Sequence, residues 1–175
     1  MKKAYLLPVF LLYFIPSFSQ SESFPQSWEG NWKGELLWYP APNKEARKIM
    51  MELRIHPADS AGAWDWQIIY GTEQEDNRPY KLIAKDTSSG HWVIDENNGI
   101  VLDQYRIADR FCGAFTVQTS TIVNNYRLTG GRLEVEFYTL SSKPVATTGK
   151  GNEDSPFVDS YKIAAYQKAV LERIH

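Results

Sequence analysis

Three histidines, His56, His91 and His175, and one cysteine, Cys112, are the residues of this chain best suited to metal or nucleophilic chemistry. Imidazole ligands work in pairs at short spacing, and no H-x-H or H-E-x-x-H string brings two of these together. No metal site is expected. Cys112 stands between Phe111 and Gly113 in an apolar run, where a free thiol behaves as a small hydrophobe. An activated thiolate needs a neighbouring histidine, and none is near in sequence. No G-x-S-x-G string exposes a serine nucleophile at a strand-to-helix turn. The acidic stretch Glu73-Gln74-Glu75-Asp76-Asn77 offers oxygen ligands but lacks the alternating Asp/Asn spacing and distant Glu of a calcium loop. It reads as a solvated hairpin tip, and Asn152-Glu153-Asp154 reads the same way.

Two other groups carry more information. The segment Leu102-Asp103-Gln104-Tyr105-Arg106-Ile107-Ala108-Asp109-Arg110 is apolar and charged on both phases of a strand. If Tyr105 and Ile107 point inward with Phe115, Tyr126 and Phe137, then Asp103 shares their face and supplies a buried polar handle. The other placement sets Asp103 at a strand end near solvent. The second group is aromatic: Trp64, Trp66, Tyr80 and Trp92 fall on successive strands and can form flat apolar walls with N–H and O–H donors. The candidate ligand-contacting residues are therefore Trp66, Tyr80, Trp92, Asp103, Tyr105, Phe115, Tyr126 and Phe137.

The elements that must position these residues are strands. Ile49, Met51, Leu53 and Ile55 alternate with Lys48, Met50, Glu52, Arg54 and His56 up to Pro57, and Trp64, Trp66, Ile68 and Tyr70 alternate with Asp65 and Gln67 up to Gly71. Leu133, Val135 and Phe137 repeat the pattern, with spacing two throughout. Asn97-Asn98-Gly99 and Thr129-Gly130-Gly131 are tight-turn strings, each predicting an antiparallel hairpin. Pro40 and Pro42 break the strand pattern from Trp38 to Glu45, and Ser141 to Pro156 reads as a long mobile loop. Val158 to Ile174 fits both strand and helix periods; a closed barrel needs it as the strand that pairs with the first.

Lys2 and Lys3, the apolar run Ala4–Ile15, and Ser17-Phe18-Ser19 before Gln20 form a secretory signal in order. The apolar core is too short to cross a bilayer as a helix, which needs about twenty residues. Residues 1–19 are expected to be removed near Ser19/Gln20, leaving one domain over 20–175 with no membrane span, in a bacterial periplasm or outside the cell. No cysteine at that point offers a lipid attachment site. The formal net charge is −2, and loss of the two lysines makes the remainder more acidic, so nucleic acid is not an expected partner. With one cysteine, no intrachain disulfide can form, and packing alone must hold the fold. Oligomeric state is left open.

Gly30-Asn31-Trp32, at the start of the domain and ahead of the strand series, resembles the first-strand Gly-x-Trp signature of the calycin superfamily, the up-and-down barrels that include lipocalins, fatty-acid-binding proteins and avidins. The resemblance implies that Trp32 plugs one barrel end against a late arginine, Arg127 or Arg173. The string Gly30-x-Trp32-x-Gly34 with Tyr39-Pro40 also resembles the opening of nitrobindin-like haem proteins. Those need a proximal histidine late in the chain, where only His175 stands, and no cofactor is expected.

The fold expected is all-β, an antiparallel up-and-down barrel of about eight to ten strands. The expected function is to bind a small, partly apolar molecule by shape and aromatic contact, without chemistry on it. An enzyme on the same barrel would use Asp103, Arg106 and Tyr126 as acid-base groups. A barrel filled by its own side chains would instead be an interaction or structural module.

Overall fold

The computed structural model describes residues 23–174. The proposed signal lies outside them. A short 3₁₀ turn, Gln26–Trp28, leads into twelve strands: β1 (Gly30–Pro40), β2 (Arg47–Pro57), β3 (Ala63–Tyr70), β4 (Asp76–Asp86), β5 (His91–Asp95), β6 (Val101–Ile107), β7 (Arg110–Val117), β8 (Ser120–Thr129), β9 (Arg132–Ser141), β10 (Ala146–Thr148), β11 (Val158–Ser160) and β12 (Ile163–Ile174). Ten of them close into an antiparallel barrel in which each strand pairs with its neighbour in sequence, and β12 lies between β9 and β1. This architecture is compatible with a calycin-like barrel. The ambiguous C-terminal segment is a strand because both its edges are used: Tyr166 pairs with Tyr138 on one side and Tyr39 on the other. Closure leaves the barrel without a free edge.

Two local expectations need correction. β1 continues through Trp38 to Pro40, although Pro40 cannot donate to a ladder. Its pairing with β2 ends at Trp38 opposite Arg47, so the missing N–H falls where the ladder on that side has already stopped. The Ser141 to Pro156 region is not a plain loop, because β10 pairs antiparallel with β11 in a small ladder beside the barrel. Both sequence-predicted hairpins form, joining β5 to β6 and β8 to β9.

One barrel end is packed shut. Strand alternation turns Trp32, Leu53, Ile55, Trp66, Phe111 and Leu171 inward, and all are fully buried. The 3₁₀ turn lays Trp28 across this end, with Phe24 edge-on to both Trp28 and Trp92 at ring-centroid distances of 5.0 and 5.1 Å. Each large side chain buried here contributes on the order of 2–3 kcal/mol relative to exposure. The Trp32 indole N–H donates to the Trp28 carbonyl at 2.8 Å, and the Arg173 guanidinium lies 4.5 Å from the Trp32 ring centroid. Arg173 also donates to the Ser27 carbonyl at 3.0 Å, tying the last strand to the plug. Of the two arginines that the resemblance offered, Arg173 is the partner. Arg127 bonds Asp109 on the outer surface instead.

Candidate functional site

The other half of the barrel is hollow. A cavity of about 690 Å³ extends from the barrel middle to the strand ends at Trp38, Tyr70, Asp76, Glu96, Val117 and Thr139. That size suits one small organic ligand. Its lining mixes aliphatic side chains, among them Leu36, Ile49, Ile68 and Ile94, with the aromatic Tyr80 on β4 and a run of aromatics on the consecutive strands β7, β8 and β9, Phe115, Tyr126 and Phe137. At the mouth, Ile100 and Val117 remain about half exposed, at 47% each, so the rim presents apolar surface to solvent.

The floor carries two buried carboxamides. Gln104 on β6 and Asn124 on β8 both stand opposite Gly113 on the intervening strand β7. The β6–β7 register, with Tyr105 opposite Cys112 and Arg106 opposite Phe111, sets Gln104 against Gly113, and Gly113 pairs directly with Asn124. With no side chain on Gly113, the carboxamides meet above it: Asn124 Nδ2 donates to Gln104 Oε1 at 2.7 Å, and Gln104 Nε2 donates to Asn124 Oδ1 at 3.4 Å. A Cβ on residue 113 would stand 2.4 Å from Gln104 Nε2 and 2.6 Å from the Asp103 carbonyl oxygen. A glycine within a strand marks this kind of close approach.

At the rim, Arg78 grips Asp76 through two bonds of 2.8 Å, and its guanidinium lies 4.9 Å from the Tyr70 ring centroid. The bond from Arg78 holds the Asp76 carboxyl below its ordinary range. Burial pushes the Tyr70 phenol up to about 12 and moves the Tyr126 phenol further in the same direction. Both therefore stay protonated and serve as neutral hydrogen-bonding groups in the wall. The indole N–H groups of Trp38 and Trp66 have no acceptor among the described residues.

The sequence-predicted contact residues divide three ways. Tyr80, Phe115, Tyr126 and Phe137 line the cavity. Trp66 and Trp92 face inward but belong to the packed end, Trp66 lying edge-on to Tyr126 at 5.2 Å and Trp92 packing against Phe24 and Trp64. Asp103 and Tyr105 are on the outer face, which corrects the inward phase for Tyr105 and leaves Asp103 with its solvent-facing alternative, reached by strand phase. His91 stacks on Tyr105 at 5.0 Å and meets Asp103 Oδ1 at 2.7 Å there. The phase of β6 is set by its neighbours: Trp92 and Ile94 of β5 pair with Gln104 and Leu102, so the even-numbered residues must point in. Val101, Tyr105 and Ile107, the more apolar set, are consequently exposed.

The three residues of the enzyme alternative do not converge. Asp103 is outside, Tyr126 is in the cavity, and Arg106 sits at the packed end with its guanidinium about 5.6–5.7 Å from the Trp28 and Phe24 ring centroids. Desolvation lowers the Arg106 pKa, and its Nη1 has no partner among the described residues. No group of three or more His, Cys, Asp or Glu side chains among the described residues is placed to hold a metal ion.

Sequence reasoning missed Trp38, Tyr70, Gln104 and Asn124. Gly113 in mid-strand was the available signal for the last two, since its missing side chain has to be filled from a neighbour. Comparison with known families and with curated proteins finds no family model and no curated protein that matches this chain.

Proposed function

We propose that this chain is an exported binding protein of the calycin superfamily, which holds a small, partly apolar molecule in the open half of its barrel and performs no chemistry on it. The observation that carries this reading is the half-filled interior: aromatic packing consumes one end of the barrel, while about 690 Å³ lined by apolar walls and a few polar groups remains at the other. A barrel with a purely structural role gains stability from filling that space, because voids forfeit dispersion contacts. Membership of the superfamily is supported by Gly30-Asn31-Trp32 opening β1 and by Arg173 of the last strand stacked on Trp32. Export rests on the residues preceding Gln20, whose order of basic, apolar and small residues is that of a cleaved signal.

Titration with Nile red, a neutral apolar dye, tests the binding reading. One dye per barrel is expected, with a blue-shifted emission, and Thr139→Trp, which places an indole in the mouth, is expected to weaken binding at least about tenfold by removing space. Dye binding that is absent, or unchanged in the filled variant, contradicts the reading.

A further inference from the structure

The distribution of charge in the cavity points to a particular class of ligand. Among the described residues, charged side chains line it only at the mouth: Asp76, Arg78 and Glu96. Arg78 is already committed to Asp76 by two hydrogen bonds, and Glu96 adds a second carboxylate. Arg47, whose guanidinium lies 5.2 Å from the Trp38 ring centroid, is exposed and stands outside the lining. An anionic headgroup drawn into this barrel would lose water without meeting, among the described lining residues, a cation free of a carboxylate partner, an unfavourable exchange.

Deeper in, the polar lining is uncharged. Gln104 and Asn124 are only 1% and 3% exposed, and their mutual pairing occupies one N–H and one acceptor site on each. A primary carboxamide has two donors and two acceptor positions, so each retains one of either kind. The Gly113 gap fixes both groups on the cavity floor, close together and at a defined height. Such a floor rewards a ligand group that donates and accepts side by side, as a carboxamide, lactam or urea does. An ester or ether supplies only the acceptor half.

From these observations we infer that the ligand is a neutral, largely apolar molecule bearing an amide-type group, which enters first and is bound by Gln104 and Asn124 over Gly113. The inference rests on the cavity reading above and deepens it by naming the ligand's chemistry. It sets this barrel apart from a carrier of free carboxylic acids.

The test is displacement of Nile red from the purified protein at neutral pH by three probes of matched chain length: decanamide, methyl decanoate and decanoate. Decanamide is expected to compete at concentrations at least about tenfold below those of either other probe, the scale of one buried hydrogen-bonding group left without a partner. Gln104→Met combined with Asn124→Leu keeps volume while removing both carboxamides, and is expected to retain Nile red but lose the preference for decanamide. Equal or better competition by decanoate or by the ester overturns the inference, as does a preference that survives in the double variant. If that variant does not fold, the wild-type ranking decides alone. Failure of Nile red itself to bind refutes the cavity reading and this inference with it, whereas dye binding with the wrong ranking refutes the inference only.

Discussion

Replacing Gly113 by alanine joins the fold to the site in one perturbation. The added methyl group would lie 2.4 Å from Gln104 Nε2 and 2.6 Å from the Asp103 carbonyl oxygen, both well inside contact distance. The backbone oxygen belongs to the paired strand and can yield only by spreading β6 from β7, an overpacking cost of about 1–3 kcal/mol. Gln104 must also swing away from Asn124, which loses the 2.7 Å hydrogen bond and leaves a buried carboxamide unsatisfied, a further cost of about 1–3 kcal/mol. These effects share a cause and will not add fully, so the expected loss is about 2–4 kcal/mol, or roughly 5–15 °C in Tm for a domain of this size. Urea unfolding followed by tryptophan fluorescence measures it. Adding Gln104→Ala to the Gly113→Ala background removes the side-chain part of the clash and is expected to recover some stability, with the backbone part remaining. A Gly113→Ala variant within about 0.5 kcal/mol of wild type, the usual scatter of neutral substitutions, would refute the idea that Gly113 is the gap through which the two carboxamides meet.

Arg173→Ala removes the cation stacked on Trp32 and the bond to Ser27, and is expected to lower stability by about 1–2 kcal/mol, with Arg173→Lys recovering part of it; equal urea midpoints for all three proteins would contradict that tie. Tyr70 is held with its pKa raised from 10.0 to about 12, so its burial stabilises the fold fully below pH 10 and progressively less as pH rises toward 12, because the unfolded chain releases the proton first. Stability should therefore fall across that window, and ultraviolet titration should show phenols that ionise only above it or on unfolding. Trp38 lines the cavity, so its emission should respond to decanamide; Trp38→Phe is expected to remove most of that response, and an unchanged response would place the ligand elsewhere.

Much of the barrel was legible in the sequence because burial on one face imposes period two, and the strands β2 and β9 follow it, whereas in β3 the adjacent Ile68 and Ile69 are both buried. The hairpins at Asn97–Gly99 and Thr129–Gly131 announce themselves through residues that tolerate positive φ. Two other turns do not: Ala108 and Gln118 both adopt φ of 53°, in the left-handed region where neither residue type is expected. The phase of β6 was hidden for a different reason. Its outward residues are the more apolar ones, and only the register with β5 and β7, a tertiary fact, turns Leu102, Gln104 and Arg106 inward. Of the site, the aromatic lining was readable by alternation, since Tyr80, Phe115, Tyr126 and Phe137 all share the inward phase of their strands. The division of the interior into a packed and a hollow half was not, because it depends on Phe24 and Trp28 folding over one end. The polar floor is likewise a meeting of residues twenty positions apart, and only the empty side chain of Gly113 hinted at it.

If the proposed function holds, the hollow end of the barrel exists to be occupied. Native mass spectrometry of the protein isolated from its own host addresses this directly, without any choice of probe. A population carrying one additional small molecule, neutral and nitrogen-containing by its fragmentation, is expected, lost when the barrel is unfolded and absent from the Thr139→Trp variant. Protein that emerges bare under gentle conditions and gains no adduct after incubation with an organic extract of the host would contradict it.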